Sequence, residues 1–304
     1  MFFKHLIIYR LSQGWNVSAA NLEEALERRL LQPCGSLDMQ SRGWVPATRQ
    51  GLVYTQEGQH LVALGVNQKI LPASVVRQVV QERAAEVEKQ QGFPVGRRQM
   101  RELKEQVTVE LRAQALVRRR VTRAWIDPLN GWLVVDAAGA AQAEEVTQEL
   151  RDSLGTFAVT LLETEHSTQH AMDTWIRAGE APAPFVIDTD LELQAIDESK
   201  STVRYARHSL EGQDIQTHLS TGKVVTRLGL TWNDRITFVL TKKLEVKRVK
   251  FLSVEADSDD RGSELPADDR FERDFQLMSG ELAQLLSDLT KALRNEPQHQ
   301  ALAA

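Results

Sequence analysis

The sequence predicts an α+β fold with mixed or antiparallel sheets and a projecting αα-hairpin arm, and three observations lead there. Short apolar stretches with strand-like alternation lie near the amino terminus and again beyond residue 200, two helical periodicities meet at a glycine-bounded tip near Pro94, and residues 268–293 are helical again. With 304 residues, 42% hydrophobic and 26% charged, the chain has the composition of a globular protein of about two domains. Apolar runs all fall short of the roughly 18 residues a membrane span needs, and Lys4, His5 and Arg10 interrupt the opening stretch without a signal-peptide layout, so a cytoplasmic protein with no membrane partner is expected. The lone Cys34 excludes an intrachain disulfide and a multi-thiolate zinc site.

Taken in order, residues 5–11 read as a strand, and Asn21 with Glu24 has the form of a capping box opening a helix with Leu22, Leu26 and Leu30 on one face. Residues 32–47 are turn-rich, and 60–66 resemble a second strand. After Pro72, Val76, Val79, Val80, Ala84 and Val87 recur at helical steps to Gly92. From about Arg98, Met100, Leu103, Val107 and Leu111 do the same. Two such helices pack as a hairpin whose arms, at 1.5 Å per residue, extend about 27 Å. Strands at 123–127 and 131–136 flank a turn ending in Asn130-Gly131, a hairpin signal. A helix at 140–154, a strand at 157–162 and a helix at 168–178 precede the APAP break at 181–184. Beyond it, strands at 203–208, 223–232, 235–240 and 244–252 form an antiparallel meander in which Arg227, Arg248 and Lys250 share an exposed face. The expected organisation is a central α+β domain from 1–71 and 124–180, a helical arm at 72–123, and a carboxy-terminal sheet with helices at 185–304.

Charge is distributed unevenly. The formal net charge is -5, yet residues 97–123 hold nine Lys or Arg against three Glu, and residues 223–250 hold eight against two acids, a net of +6 each. The remainder therefore carries -17, much of it in 143–199 and 255–274. If folding or dimerisation brings these two basic segments onto one surface, the acidic remainder repels a polyanion everywhere else. Candidate phosphate contacts are Arg97, Arg98, Arg101, Lys104, Arg118, Arg119 and Arg120 in the first segment, and Lys223, Arg227, Arg248 and Lys250 in the second.

Catalytic patterns are weak. Gly222-Lys223 lacks the glycine at 217 and the Ser or Thr at 224 of a phosphate loop. His166 and His170 share a helix face near Glu163 and Glu165, a layout that could hold a metal, but there is no His-Glu-x-x-His motif and exposed polar residues before a helix are the commoner explanation. The stretch 257–268 has Asp257, Asp259, Gly262 and Asp268 at calcium-loop spacing, with Arg261 where a ligand oxygen belongs. Cys34 with His60 supplies a thiol and a base in no recognisable context. No catalytic residue, metal site or cofactor is assigned.

Several stretches are specific enough to compare with a known family: QPCGSLDM at 32–39, GWVP at 43–46, KILP at 69–72, WID at 125–127 with NG at 130–131, GKVVT at 222–226 and FERDFQLMSGELAQLL at 271–286. In order and over nearly the whole chain, the sequence resembles the bacterial recombination-associated RdgC family. The resemblance implies a non-enzymatic, largely sequence-independent DNA-binding protein of the nucleoid that binds double-stranded and possibly single-stranded DNA and restrains RecA-promoted recombination. It further implies a ring-shaped homodimer with a positively lined hole, closed by two two-fold contacts. By position in the family pattern, Leu116 near the end of the second arm helix is a candidate for one ring-closing contact, and Arg207 with His208 for DNA-facing positions; Phe93 at the tip is a further candidate dimer contact. Two other classes remain open: a metal-dependent nuclease or phosphatase using Asp188, Asp190 and Asp197 or the His166 pair, and an acidic protein-interaction scaffold.

Overall fold

Strand β1 (His5–Leu11) is apolar on both faces: Leu6 and Ile8 enter one core, while Ile7, Tyr9 and Leu11 enter another. Such a strand belongs inside a sheet covered on both sides. The computed structural model, which describes residues 2–49, 51–164, 167–210, 212–252 and 266–294, puts it there. The other strands are β2 (Gln40–Val45), β3 (Val53–Gln56), β4 (Gln59–Lys69), β5 (Val117–Asp127), β6 (Trp132–Asp136), β7 (Val159–Leu161), β8 (Phe185–Ala195), β9 (Thr202–Tyr205), β10 (Lys223–Trp232), β11 (Ile236–Thr241) and β12 (Val246–Phe251). They join in one sheet of order β2-β4-β5-β6-β1-β12-β11-β10-β8-β9, with β3 on β4 and β7 on β1, and every pairing between these strands is antiparallel. The amino- and carboxy-terminal halves meet at a short seam, His5 opposite Lys247 and Leu6 opposite Val246.

Helices cover the two faces unequally, and that asymmetry creates the candidate site. Helices α1 (Ala19–Glu27) and α4 (Ala140–Leu154) bury Leu22, Leu26, Ala143, Val146 and Leu150 against β1, β2, β4, β5 and β6, and no residue of β8 to β12 belongs to that core. On the opposite face lie α5 (Thr168–Ala178), α6 (Gln213–Ser220) and the long α7 (Ala267–Ala292). Phe275, Met278, Leu282, Leu285, Leu286 and Leu289 recur on α7 at three- and four-residue steps and pack with Trp125, Trp232, Leu228 and Phe238 across both halves. The second face of β12, β11, β10, β8 and β9 therefore has no helix on it among the described residues.

Helices α2 (Ala73–Gln91) and α3 (Arg97–Gln114) are inserted between the paired strands β4 and β5. Gly92 ends α2 in the left-handed conformation (φ 79°), and the pair has a small core of its own around Val76, Val80 and Val107, separate from the two main ones. Arg83 and Glu110 pair across it at 2.5 Å.

Several expectations are corrected. The cap of α1 is Ser18, whose hydroxyl accepts the Asn21 N–H at 3.3 Å, three residues before the expected Asn21 box. The turn-rich stretch 32–47 contains β2. Its Gly43 has no room for a Cβ, which would lie 2.5 Å from the Leu31 nitrogen, because the chain at 30–31 crosses this strand closely. Helix α3 stops at Gln114, so Leu116 sits in the connection to β5 rather than in a helix, and Arg118, Arg119 and Arg120 lie on β5 rather than in the helical pair. The simple alternation of the sequence, Val224, Thr226, Leu228, Leu230 and Trp232 against Val225, Arg227 and Gly229, is shifted by a bulge between Val225 and Arg227, so that Val225, Leu228, Leu230 and Trp232 enter the core and Val224 does not.

Candidate nucleic-acid interface

On the uncovered face the register fixes which side chains meet. Arg227 stands opposite Glu192, and Arg204 stands opposite the same Glu192 from β9. Val246, Val249 and Phe251 point into the core, which turns Lys247, Arg248 and Lys250 the other way; the left-handed Arg248 (φ 55°) absorbs the extra residue. The three basic positions expected to share a face, Arg227, Arg248 and Lys250, thus lie on this side of the sheet. Arg204, Arg227, Lys247 and Arg248 line a cavity of about 340 Å³ together with His5 and Tyr205.

This face is not a bare cationic surface. Glu192 accepts from Arg204 at 2.5 Å and from the Thr226 hydroxyl at 2.8 Å, and lies 3.6 Å from Arg227. Burial pushes its carboxyl up, but these partners outweigh burial and hold it below the usual carboxylate range. Arg248 pairs with Asp190 at 3.2 Å, and Lys247 with Glu245 at 2.8 Å. The exposed Arg207 (φ 53°) donates its backbone N–H to Asp190, and the His208 ring lies 5.5 Å from that of Tyr205. Lys223, half-buried, opens β10 next to Gly222 (φ 90°).

The first basic segment divides between two elements. Arg97, Arg101, Lys104, Thr108 and Arg112 follow one another at three- and four-residue steps, so they form one stripe along α3, whereas Arg98 points off it and pairs with Glu102 at 3.1 Å. Arg77 of α2 faces Lys104 and Arg112 across the groove between the helices. On β5, successive side chains alternate between faces. Arg120 reaches Glu145 of α4 at 2.5 Å and Arg118 lies beside Gln68 on that side, while Arg119 turns to the other and donates to Asn67 at 3.0 Å. The three consecutive arginines therefore do not act as one cluster. Arg235, counted in the second basic segment, also leaves it, because it pairs with Glu281 of α7 on the opposite side of the sheet at 2.9 Å.

Sequence reasoning missed Arg204, Lys247, Arg77 and Arg112. The alternation of Val203, Arg204 and Tyr205 was a usable signal for Arg204, whereas Arg77 is placed only by helix packing. Phe93 and Leu116 are exposed large apolar side chains, at 61% and 79%. The groove between α2 and α3, about 590 Å³, is floored by Met39, Leu71, Val76, Val80 and Met100.

Among the described residues the competing constellations do not assemble. Asp188 accepts from its neighbour Thr189, Asp190 holds Arg248, and Asp197 caps the β8–β9 turn through Ser199. Among the described residues no three His, Cys, Asp or Glu side chains gather as a metal ion requires; His166 and most of 257–268 lie outside those residues, and Asp268 is in the first turn of α7. Gly222-Lys223 follows a helix and opens a strand, the reverse of a phosphate loop. Cys34 lies 3.3 Å from the Asn67 carbonyl and His60 bonds Thr55 at the other end of β4, seven residues and roughly 23 Å along the strand. Among the described residues no helix is long and apolar enough to cross a membrane.

Comparison with known proteins agrees with the motifs. A family model described as "Putative exonuclease, RdgC" matches residues 1–296. The recombination-associated protein RdgC of Dechloromonas aromatica is 47% identical over 300 residues, covering 97% of this chain and 98% of that protein. That of Cupriavidus pinatubonensis is 48% identical over 297 residues, covering 97% and 99%, and that of Herminiimonas arsenicoxydans 47% over 297 residues with the same coverage. The chain belongs to the RdgC family of recombination-associated proteins.

Proposed function

We propose that the protein binds double-stranded DNA with little regard to sequence, as a ring-shaped homodimer at the nucleoid in the cytoplasm, and so restrains RecA-promoted recombination by occupying the duplex. The observation that supports this reading is the unequal helix coverage, which leaves one sheet face lined by Arg204, Arg227, Lys247 and Arg248, held in place there by Asp190, Glu192 and Glu245. The α3 stripe of Arg97, Arg101 and Lys104 supplies a second basic surface, and Arg118, Arg207, His208, Lys223 and Lys250 extend the candidate contacts. In a two-fold dimer each surface occurs twice. The exposed Leu116 and Phe93, together with the apolar groove between α2 and α3, support self-association through the helical pair, which then acts as the projecting arm. Binding requires no catalytic residue and no cofactor.

Salt titration tests the reading. If about six phosphates are neutralised, log K falls with log salt at a slope near -5, equally for unrelated duplexes. Arg118→Ala and Arg101→Ala each flatten the slope by about one, whereas Arg120→Ala, already neutralised by Glu145, changes it little. A strong preference for one sequence, or cleavage of plasmid by the pure protein with Mg²⁺ or Mn²⁺, would overturn it.

A further inference from the structure

A cavity of about 630 Å³ opens where the carboxy-terminal end of α7 meets β1 and β7, on the helix-covered side of the sheet and so away from the proposed DNA face. Arg10 projects into it from β1. Its guanidinium carbon lies 3.3 Å from the centroid of the Trp132 ring, and Nη1 donates to the Asn130 carbonyl at 3.0 Å. Stacking and one hydrogen bond fix the plane of this guanidinium and leave most of its five N–H donors for another acceptor. Arg294, just past the end of α7, lines the same cavity. Glu163 is also on the wall, yet among the described residues no carboxylate forms an ion pair with either arginine. Two cations facing one space, unpaired with any described carboxylate, repel each other. Burial, and after it the neighbouring Arg294, hold Arg10 below the usual arginine range.

We propose that this cavity binds a phosphate monoester, its dianion held between Arg10 and Arg294 and its organic part against Leu161 and Thr160. Two guanidinium groups match a group carrying nearly two negative charges and three acceptor oxygens better than they match a single carboxylate. Leu161, 48% exposed, offers an apolar wall, and the volume suits a mononucleotide. The phosphate comes from a free nucleotide or from a 5′-phosphorylated DNA end.

Thermal melts and equilibrium dialysis of the full chain test this with inorganic phosphate, deoxyadenosine monophosphate and, as control, deoxyadenosine. At ten times its Kd, the monophosphate raises Tm by about 2 °C and the nucleoside does not. Arg294→Gln, at an exposed position, weakens dialysis binding at least tenfold, as does Arg10→Lys, while Arg118→Gln leaves it unchanged. Competition by 5′-phosphorylated but not 5′-hydroxyl oligonucleotide identifies a DNA end as the source, and indifference to both identifies the free nucleotide. Absence of binding by both phosphates, or binding undiminished in Arg294→Gln, would overturn the proposal whatever the outcome of the salt titration.

Discussion

Glu192 accepts hydrogen bonds from Arg204 and the Thr226 hydroxyl and faces the Arg227 guanidinium at 3.6 Å, and so orders two arginines of the uncovered face. Because its carboxyl is held below its ordinary value near 4.5, its contribution to stability is fully present above that value and is lost as pH falls through the lower folded-state value. Denaturant midpoints of the wild type should therefore drop through this acid window by more than those of Glu192→Gln; equal losses would assign the acid limb to other carboxylates. At the same scale, the identity of the basic residues was legible in the sequence but their pairing was not. Arg118, Arg119 and Arg120 are adjacent in the chain, yet a strand sends alternate side chains to opposite faces, and only the placement of α4 shows that Arg120 is already matched by Glu145.

Elements with one strong period were legible: β1, α2, α4, α5 and β10 coincide with their expected spans or nearly so, and α7 begins one residue earlier. Strand β8, the main partner of β10, was not. Its acids Asp188, Asp190 and Glu192 interrupt the apolar alternation, and the register shifts between Leu228 and Leu230 opposite it break the two-residue period. Helix α6 is too short, eight residues, for its pattern to stand out. The helical pair was readable because α2 and α3 each carry an apolar stripe, and its separate small core has a consequence. Val107 is fully buried there and contacts neither main core, so Val107→Ala should destabilise α2 and α3 locally by about 1 kcal/mol. Hydrogen exchange should quicken within 73–114 and stay unchanged in β1 and β6; uniform loss of protection would show that the pair unfolds with the rest.

For the whole molecule, function depends on which surfaces are left uncovered. Helices α5, α6 and α7 close one side of the full sheet, α1 and α4 close half of the other, and the remaining half carries the cations. The net charge of -5 gave no hint of this, and only its uneven distribution along the chain did. Self-association belongs to this scale as well. Leu116→Asp places a charge on an apolar side chain that is 79% exposed in the single chain, so it should leave folding intact and, by opening one of the two proposed contacts, weaken self-association at least tenfold in sedimentation equilibrium. Unchanged self-association would remove Leu116 from the interface.

Covalent labelling of lysines and arginines, with and without a duplex of random sequence, asks most directly which surface meets DNA. Protection is predicted at Arg97, Arg101, Lys104, Arg204, Arg227 and Lys247, with Arg235 and Lys291, on the α7 side, unchanged. Protection of Arg235 and Lys291 with the uncovered face still reactive would contradict the assignment.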